Sequence, residues 1–93
     1  MNYSDTVERV MSLLKEKKVC SSSRKSHRDC YESLGSYLDQ NSTEYTVKAR
    51  DEWFTEIKKD QSSQRCAIWL RYVHQLEEMD SSGTVSDLSL IHI

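Results

Sequence analysis

Residues 23–40 read SRKSHRDCYESLGSYLDQ, and this stretch of the chain indicates the fold class. At about 100° per residue, its apolar and ring-bearing side chains fall within roughly 120° of a helical circumference. They are His27, Cys30, Tyr31, Leu34, Tyr37 and Leu38. The other side carries Arg24, Lys25, Arg28, Glu32 and Asp39. The pattern predicts an amphipathic helix, the second of the chain, whose apolar side faces a core.

Three other segments have the same spacing and predict helices before and after this one. The first covers residues 4–18 with Ser4 or Asp5 as its cap, and Ser21–Ser23 offer caps for the second. A third helix follows Thr43 or Thr46 and ends at residues 58–60, and a fourth starts at Ser62 and Ser63 and ends at Met79. The fourth is apolar around most of its circumference, apart from a polar strip that includes Gln75. We therefore expect it to contact the other three.

The length and the low glycine and proline content of the chain limit the folds that it can adopt. The chain has 93 residues, no Pro and two Gly, which is typical of one small helical domain and not of an all-β fold. We predict an all-α, compact four-helix domain at residues 1–79, with residues 80–93 as an irregular linker or truncated tail. No apolar run is long enough to span a membrane, and Glu8 and Arg9 interrupt the apolar residues near the N-terminus, so we expect no signal-peptide segment there. We therefore expect a cytoplasmic protein with no membrane partner.

The cysteines and histidines do not have the spacing of a metal site. Cys20, Cys30 and Cys66 are far apart, and at least two of them are expected to be core residues. His27 and Cys30 could contact one ion, but both belong to the apolar side of the second helix, which favours core packing. Cys20 has cationic neighbours but no identifiable base. We expect no metal, no cofactor, no catalytic residue and no small-molecule substrate.

Positive charge is concentrated in one part of the chain. The net charge is −2, yet between Lys15 and Arg28 there are six cations and one anion, Glu16. The cations are Lys15, Lys17, Lys18, Arg24, Lys25 and Arg28. They flank the predicted start of the second helix, where free N–H groups also favour phosphate. The two interpretations are a nucleic-acid contact and a solvated face.

The order of these pieces resembles the N-terminal core-binding domain of phage-type tyrosine recombinases (integrases), often termed SAM-like. The resemblance covers about Val7 to Met79. In the second helix, Ser23 takes the cap position, His27 the aromatic position and Tyr37-Leu38 the closing pair. The last helix, residues 65–73 after Ser62-Ser63, is similar to the final helix of that family.

The resemblance implies a four-helix SAM-like bundle with orthogonal helices that binds one side of duplex DNA. Helix two would contact DNA through Ser23, Arg24, Lys25, Ser26 and Arg28, near Lys17 and Lys18, and helix four through Ser63, Gln64 and Arg65. Gln64 would read bases, and the cations would contact phosphates. The chain lacks the Arg, His-x-x-Arg and Tyr set of the catalytic domain. It would therefore be a non-catalytic module from a mobile element, with the C-terminal catalytic domain of the parent recombinase as a partner.

The alternative function is a helical protein–protein interaction module. Exposed parts of Trp53 or Ile68, or the apolar residues 90–93, would then contact another chain. DNA binding and the solution mass distinguish the two functions.

Overall fold

Four α-helices form the secondary structure of residues 2–85, the part of the chain that this computed structural model describes. They are α1 (Tyr3–Glu16), α2 (Ser21–Gln40), α3 (Val47–Ile57) and α4 (Ser63–Ser82), and residues 2–85 contain no strand. The predicted all-α, four-helix fold class is therefore confirmed.

The starts of α3 and α4 are capped by the side chains that the sequence offers. Thr46 accepts a hydrogen bond from the backbone N–H of Ala49, and Ser62 accepts one from the N–H of Arg65. Each bond satisfies one of the four donors that a helix start leaves free.

The capping residues of α1 and α2 differ from the prediction, although α2 begins at the serine triplet as expected. The cap of α1 is Asn2, whose side chain accepts from the N–H of Asp5, so the helix begins before Ser4. At α2 the cap position belongs to Cys20, and no side chain caps the first turn. The serine triplet lies inside or at the start of the helix, so its predicted capping role is wrong.

The end of α4 lies beyond the predicted boundary at Met79. The helix continues through Ser82, and Gly83 then takes a left-handed conformation (φ 74°) with its N–H donating to the carbonyl of Met79. Glycine adopts this conformation without a Cβ penalty. Val85 is buried against the core. The rest of the predicted tail, residues 86–93, lies outside the described residues.

The core lies between α2 and α4, each of which contacts the other three helices. The expected central place of α4 is thus confirmed. Leu34 of α2 and Val73 of α4 are fully buried, as is Leu14 of α1. On the α3 side, the indole rings of Trp53 and Trp69 stack almost in parallel, with centroids 6.1 Å apart. This arrangement buries Trp53.

Candidate nucleic-acid interface

A groove lies at the corner of the molecule where α1 ends and α2 begins. The two helices run in opposite directions, because Tyr3 at the start of α1 donates to the carbonyl of Tyr31 in the middle of α2 (2.6 Å). The last turns of α1 therefore lie beside the first turns of α2. The groove between them has a volume of about 460 Å³ and is lined by Met11, Ser12, Lys15, Ser21, Arg24, Lys25 and Arg28. We name it the basic groove.

Within residues 2–85, the four cations of the basic groove are not paired with carboxylates. The ion pairs Arg50–Asp51, Arg50–Glu77 and Lys59–Glu56 lie on or next to α3 or join α3 to α4, and they involve none of these four cations. Lys15, Lys25 and Arg28 are exposed, whereas Arg24 is half-buried. Their positive charge is therefore available to an anion from solvent.

The backbone adds to the positive potential of the basic groove. The first turn of α2 has no side-chain cap and no acidic residue. Ser21, the first residue of α2, lines the groove. The free N–H groups of this turn and the positive end of the helix dipole therefore lie at the groove. Helix starts of this kind are favourable places for a phosphate.

Lys15 lines the basic groove, although the sequence does not predict it as a DNA contact. Lys15 belongs to the cluster of cations in the sequence, but it lies nine residues before Arg24 and on a different predicted helix. The turn between α1 and α2 makes the two helices antiparallel, and so Lys15 and Arg24 line the same groove. The signal that could have identified it is the position of Lys15 four residues after Met11, on the same side of α1.

Lys17 and Lys18 lie in the turn between α1 and α2. Lys17 is the C-cap residue of α1, and Lys18 has a left-handed backbone (φ 59°). Both side chains are exposed, but neither lines the basic groove. They extend the positive surface around the corner.

Two predicted contact serines of α2 do not line the groove. Ser26 is half-buried, and its Oγ accepts a hydrogen bond from the hydroxyl of Tyr72 (3.3 Å) in α4. Ser23 is also half-buried, and its Oγ accepts from the thiol of Cys20 (3.3 Å). Ser26 therefore faces the α2–α4 contact, and Ser23 belongs to the local structure of the helix start.

The start of α4 is not brought to the basic groove. Ser26 contacts Tyr72, and further along α2 the thiol of Cys30 donates to the carbonyl of Trp69 (3.6 Å). Residues of α2 that lie farther from the groove therefore contact residues that lie nearer to the start of α4. Arg65 lies about 10 Å before Tyr72 at 1.5 Å per residue. Ser63, Gln64 and Arg65 are exposed on that distant part, with the Arg65 guanidinium over the ring of Trp69.

His27 is a core residue, as its position on the apolar side predicted. Its Nδ1 is 2.8 Å from the carbonyl oxygen of Ser23, and its Nε2 is 2.9 Å from Oε1 of Gln75. Burial lowers the pKa of His27 and favours the neutral ring. Gln75 is itself buried, so its expected place on a polar strip is wrong. Residues 2–85 contain no cluster of three His, Cys, Asp or Glu that could hold a metal ion.

The three cysteines are free thiols in two different environments. Cys30 and Cys66 are buried, as expected, and burial raises the pKa of Cys30. Cys20 is exposed at the start of α2, within 3.4 Å of the Oγ of Ser22. Hydrogen bonds that the Cys20 thiolate accepts from Ser22 and Ser23 lower the pKa of Cys20 to about 7.

Comparison of the chain with known protein families, curated proteins and solved structures finds no match. A search of the described residues for a helix long and apolar enough to cross a membrane also finds none.

Proposed function

We propose that this domain binds duplex DNA through the basic groove. The observation that carries the proposal is the convergence of Lys15, Arg24, Lys25 and Arg28 on one groove, with none of them in an ion pair within residues 2–85. The first turn of α2, which has no side-chain cap, also lines this groove through Ser21. Clustered cations release counterions when they meet phosphates, and this release drives sequence-independent affinity.

The wider context we propose is the core-binding module of a tyrosine recombinase from a mobile element. The helical order and the His27 to Leu38 pattern support this assignment. In this proposal the module is not an enzyme on its own, and its partner is the C-terminal catalytic domain of the parent recombinase. Co-purification of this chain with a separately expressed catalytic domain from the same gene tests the partnership.

DNA binding can be tested by fluorescence anisotropy with a 20-bp duplex at several salt concentrations. If each groove cation meets one phosphate, log affinity falls with log salt with a slope of about −3.6. The triple variant R24E/K25E/R28E should lose binding. The matched control is K48E/K58E/K59E, which makes the same charge change at exposed lysines on or next to α3. Equal losses in both variants would contradict a specific role of the groove.

The alternative function as a protein-interaction module has weaker structural support. Trp53 is buried, so it offers no exposed contact. Ile68 and Val47 are exposed but lie on different helices. Isolated apolar side chains of this kind are common on protein surfaces. A concentration-dependent mass in solution, without any DNA binding, would favour this alternative.

A further inference from the structure

We propose that the basic groove holds a single sugar–phosphate strand and reads no bases, so that this domain binds DNA independently of sequence. The proposal rests on the DNA-binding function proposed above and specifies which part of the DNA is contacted. Three features of the described residues carry it: the shape of the groove, the chemistry of its lining and the charge along α2.

The basic groove is concave, with cations on both of its walls. Lys15 comes from α1, whereas Arg24, Lys25 and Arg28 come from α2. A concave cationic surface fits a convex phosphate backbone. Base readout requires an element that enters the major groove, where base edges lie about 8.5 Å deep. On its groove side α2 is flanked by α1, so this part of the helix does not protrude.

The lining of the groove lacks the amides that recognise adenine, and its arginines and lysines could recognise guanine only from an element that enters the major groove. Besides the cations, it contains Met11 and the serines Ser12 and Ser21, with no Asn or Gln. The predicted base-reading residue, Gln64, is on the distant start of α4. The Nε of Arg24 is buried, without a hydrogen-bond partner in the described part of the chain. Backbone contacts position a protein on DNA but carry no direct sequence information.

The charge along α2 limits the length of strand that the groove can hold. Arg28 is followed on the same side of the helix by Glu32 and Asp39, at helical spacing. Both carboxylates are exposed, and together with Glu44 they line a separate groove of about 680 Å³ that Arg28 also borders. A phosphate strand is repelled by this acidic stretch. The contact is therefore confined to the first two turns of α2 and the last turns of α1.

The test measures the affinity of the whole chain for three fluorescein-labelled probes by anisotropy: an AT-rich 20-bp duplex, a GC-rich 20-bp duplex of unrelated sequence, and a 20-nucleotide oligo(dT) strand. We expect the two duplex dissociation constants to agree within about threefold, and the single strand to bind within about tenfold of them. Glu32→Lys should raise the affinity for all three probes by the same factor. The control Glu56→Lys makes the same charge change at an exposed residue of α3, away from the groove, and should leave all three affinities nearly unchanged.

A preference of tenfold or more for one duplex, at every salt concentration, would overturn sequence-independent binding and leave the DNA-binding function standing. Binding of duplexes with no measurable binding of the single strand would overturn the single-strand mode of contact. Absence of salt-dependent binding to all three probes would overturn the proposed function, and this inference with it.

Discussion

The imidazole of His27 stacks on the phenol ring of Tyr72, with ring centroids 3.6 Å apart. This contact joins the first turns of α2 to the middle of α4, directly behind the helix start that carries the groove cations. Both ring nitrogens also lie within hydrogen-bond distance of oxygen atoms, from Ser23 and Gln75. The neutral ring can donate from Nδ1 to the Ser23 carbonyl, and Nε2 then accepts if Gln75 presents its amide NH₂.

The burial of His27 predicts that acid destabilises the protein. The pKa of His27 is lowered in the folded state. Below about pH 6.5 the unfolded chain therefore binds a proton at His27, whereas the folded chain binds it only at lower pH. The free energy of unfolding should therefore fall as the pH decreases from about 6.5, by at most about 1.4 kcal/mol per pH unit for this group. Urea unfolding at pH 7.5, 6.5 and 5.5 measures this change.

The control for this prediction is His74→Gln, which alters an exposed histidine on α4 and should keep the acid sensitivity. His27→Gln should reduce it. If that variant does not fold, the titration of the His27 ring by NMR in the unchanged protein decides the matter. A protonation midpoint at or above 6.5 in the folded state would contradict the prediction.

The environment of Cys20 predicts selective alkylation at neutral pH. Because its pKa is lowered to about 7, the rate of modification by iodoacetamide should reach half its maximum near pH 7. Cys30 and Cys66 are buried and should react only after unfolding. Intact mass should show one adduct on the folded protein and three in urea. A midpoint near the ordinary pKa of 9.0 would refute the role of the serine hydrogen bonds.

The matched variant for this effect is Ser22→Ala, whose hydroxyl lies 3.4 Å from the Cys20 sulfur. It should move the midpoint of the alkylation rate to higher pH. Cys20→Ser should give no adduct in the folded state.

The uncapped start of α2 predicts a stabilising substitution. Cys20 has φ −61° and ψ 155°, nearly the same as the −62° and 153° of Ser62, which does cap its helix. Cys20→Ser should therefore place an oxygen acceptor for the N–H of Ser23 and raise the free energy of unfolding by about 1 kcal/mol. Ser62→Ala should lower it by a similar amount, about 1 kcal/mol. Thermal or urea unfolding measures both changes.

Cys20→Ala separates capping from simple removal of the thiol, since alanine offers no acceptor. It should not stabilise the protein. A gain equal to that of Cys20→Ser would show that the added oxygen does not cap α2.

The contact between Arg50 and Glu77 predicts strong coupling between α3 and α4. Nη1 of Arg50 lies 2.8 and 2.7 Å from the two carboxylate oxygens of Glu77, and the side chains are 17% and 27% exposed. A double-mutant cycle with alanine at both positions should give a coupling energy on the order of 1.5 kcal/mol. The exposed pair Lys59 and Glu56 is the control, with at most about 0.5 kcal/mol expected. Equal coupling in the two pairs would contradict the effect of burial.

Local patterns in the sequence determined the helices and much of the core. The apolar side of residues 23–40 is enough to predict α2, because helical periodicity depends on residues within a few turns. Thr46 and Ser62 are caps for the same local reason. The burial of Cys30 followed from its place on the apolar side. The concentration of cations around the start of α2 is likewise a property of neighbouring residues in the chain.

Only the tertiary structure decided which of these residues meet. The antiparallel packing of α1 on α2 brings Lys15 to Arg24, and the register of α2 on α4 turns Ser26 toward Tyr72. Gln75 is buried because His27, 48 residues away, offers it a partner. Helical periodicity specifies a side chain's angle around its own helix. The relative position of two helices depends instead on how their side chains pack over long sequence distances, and no local pattern contains that information.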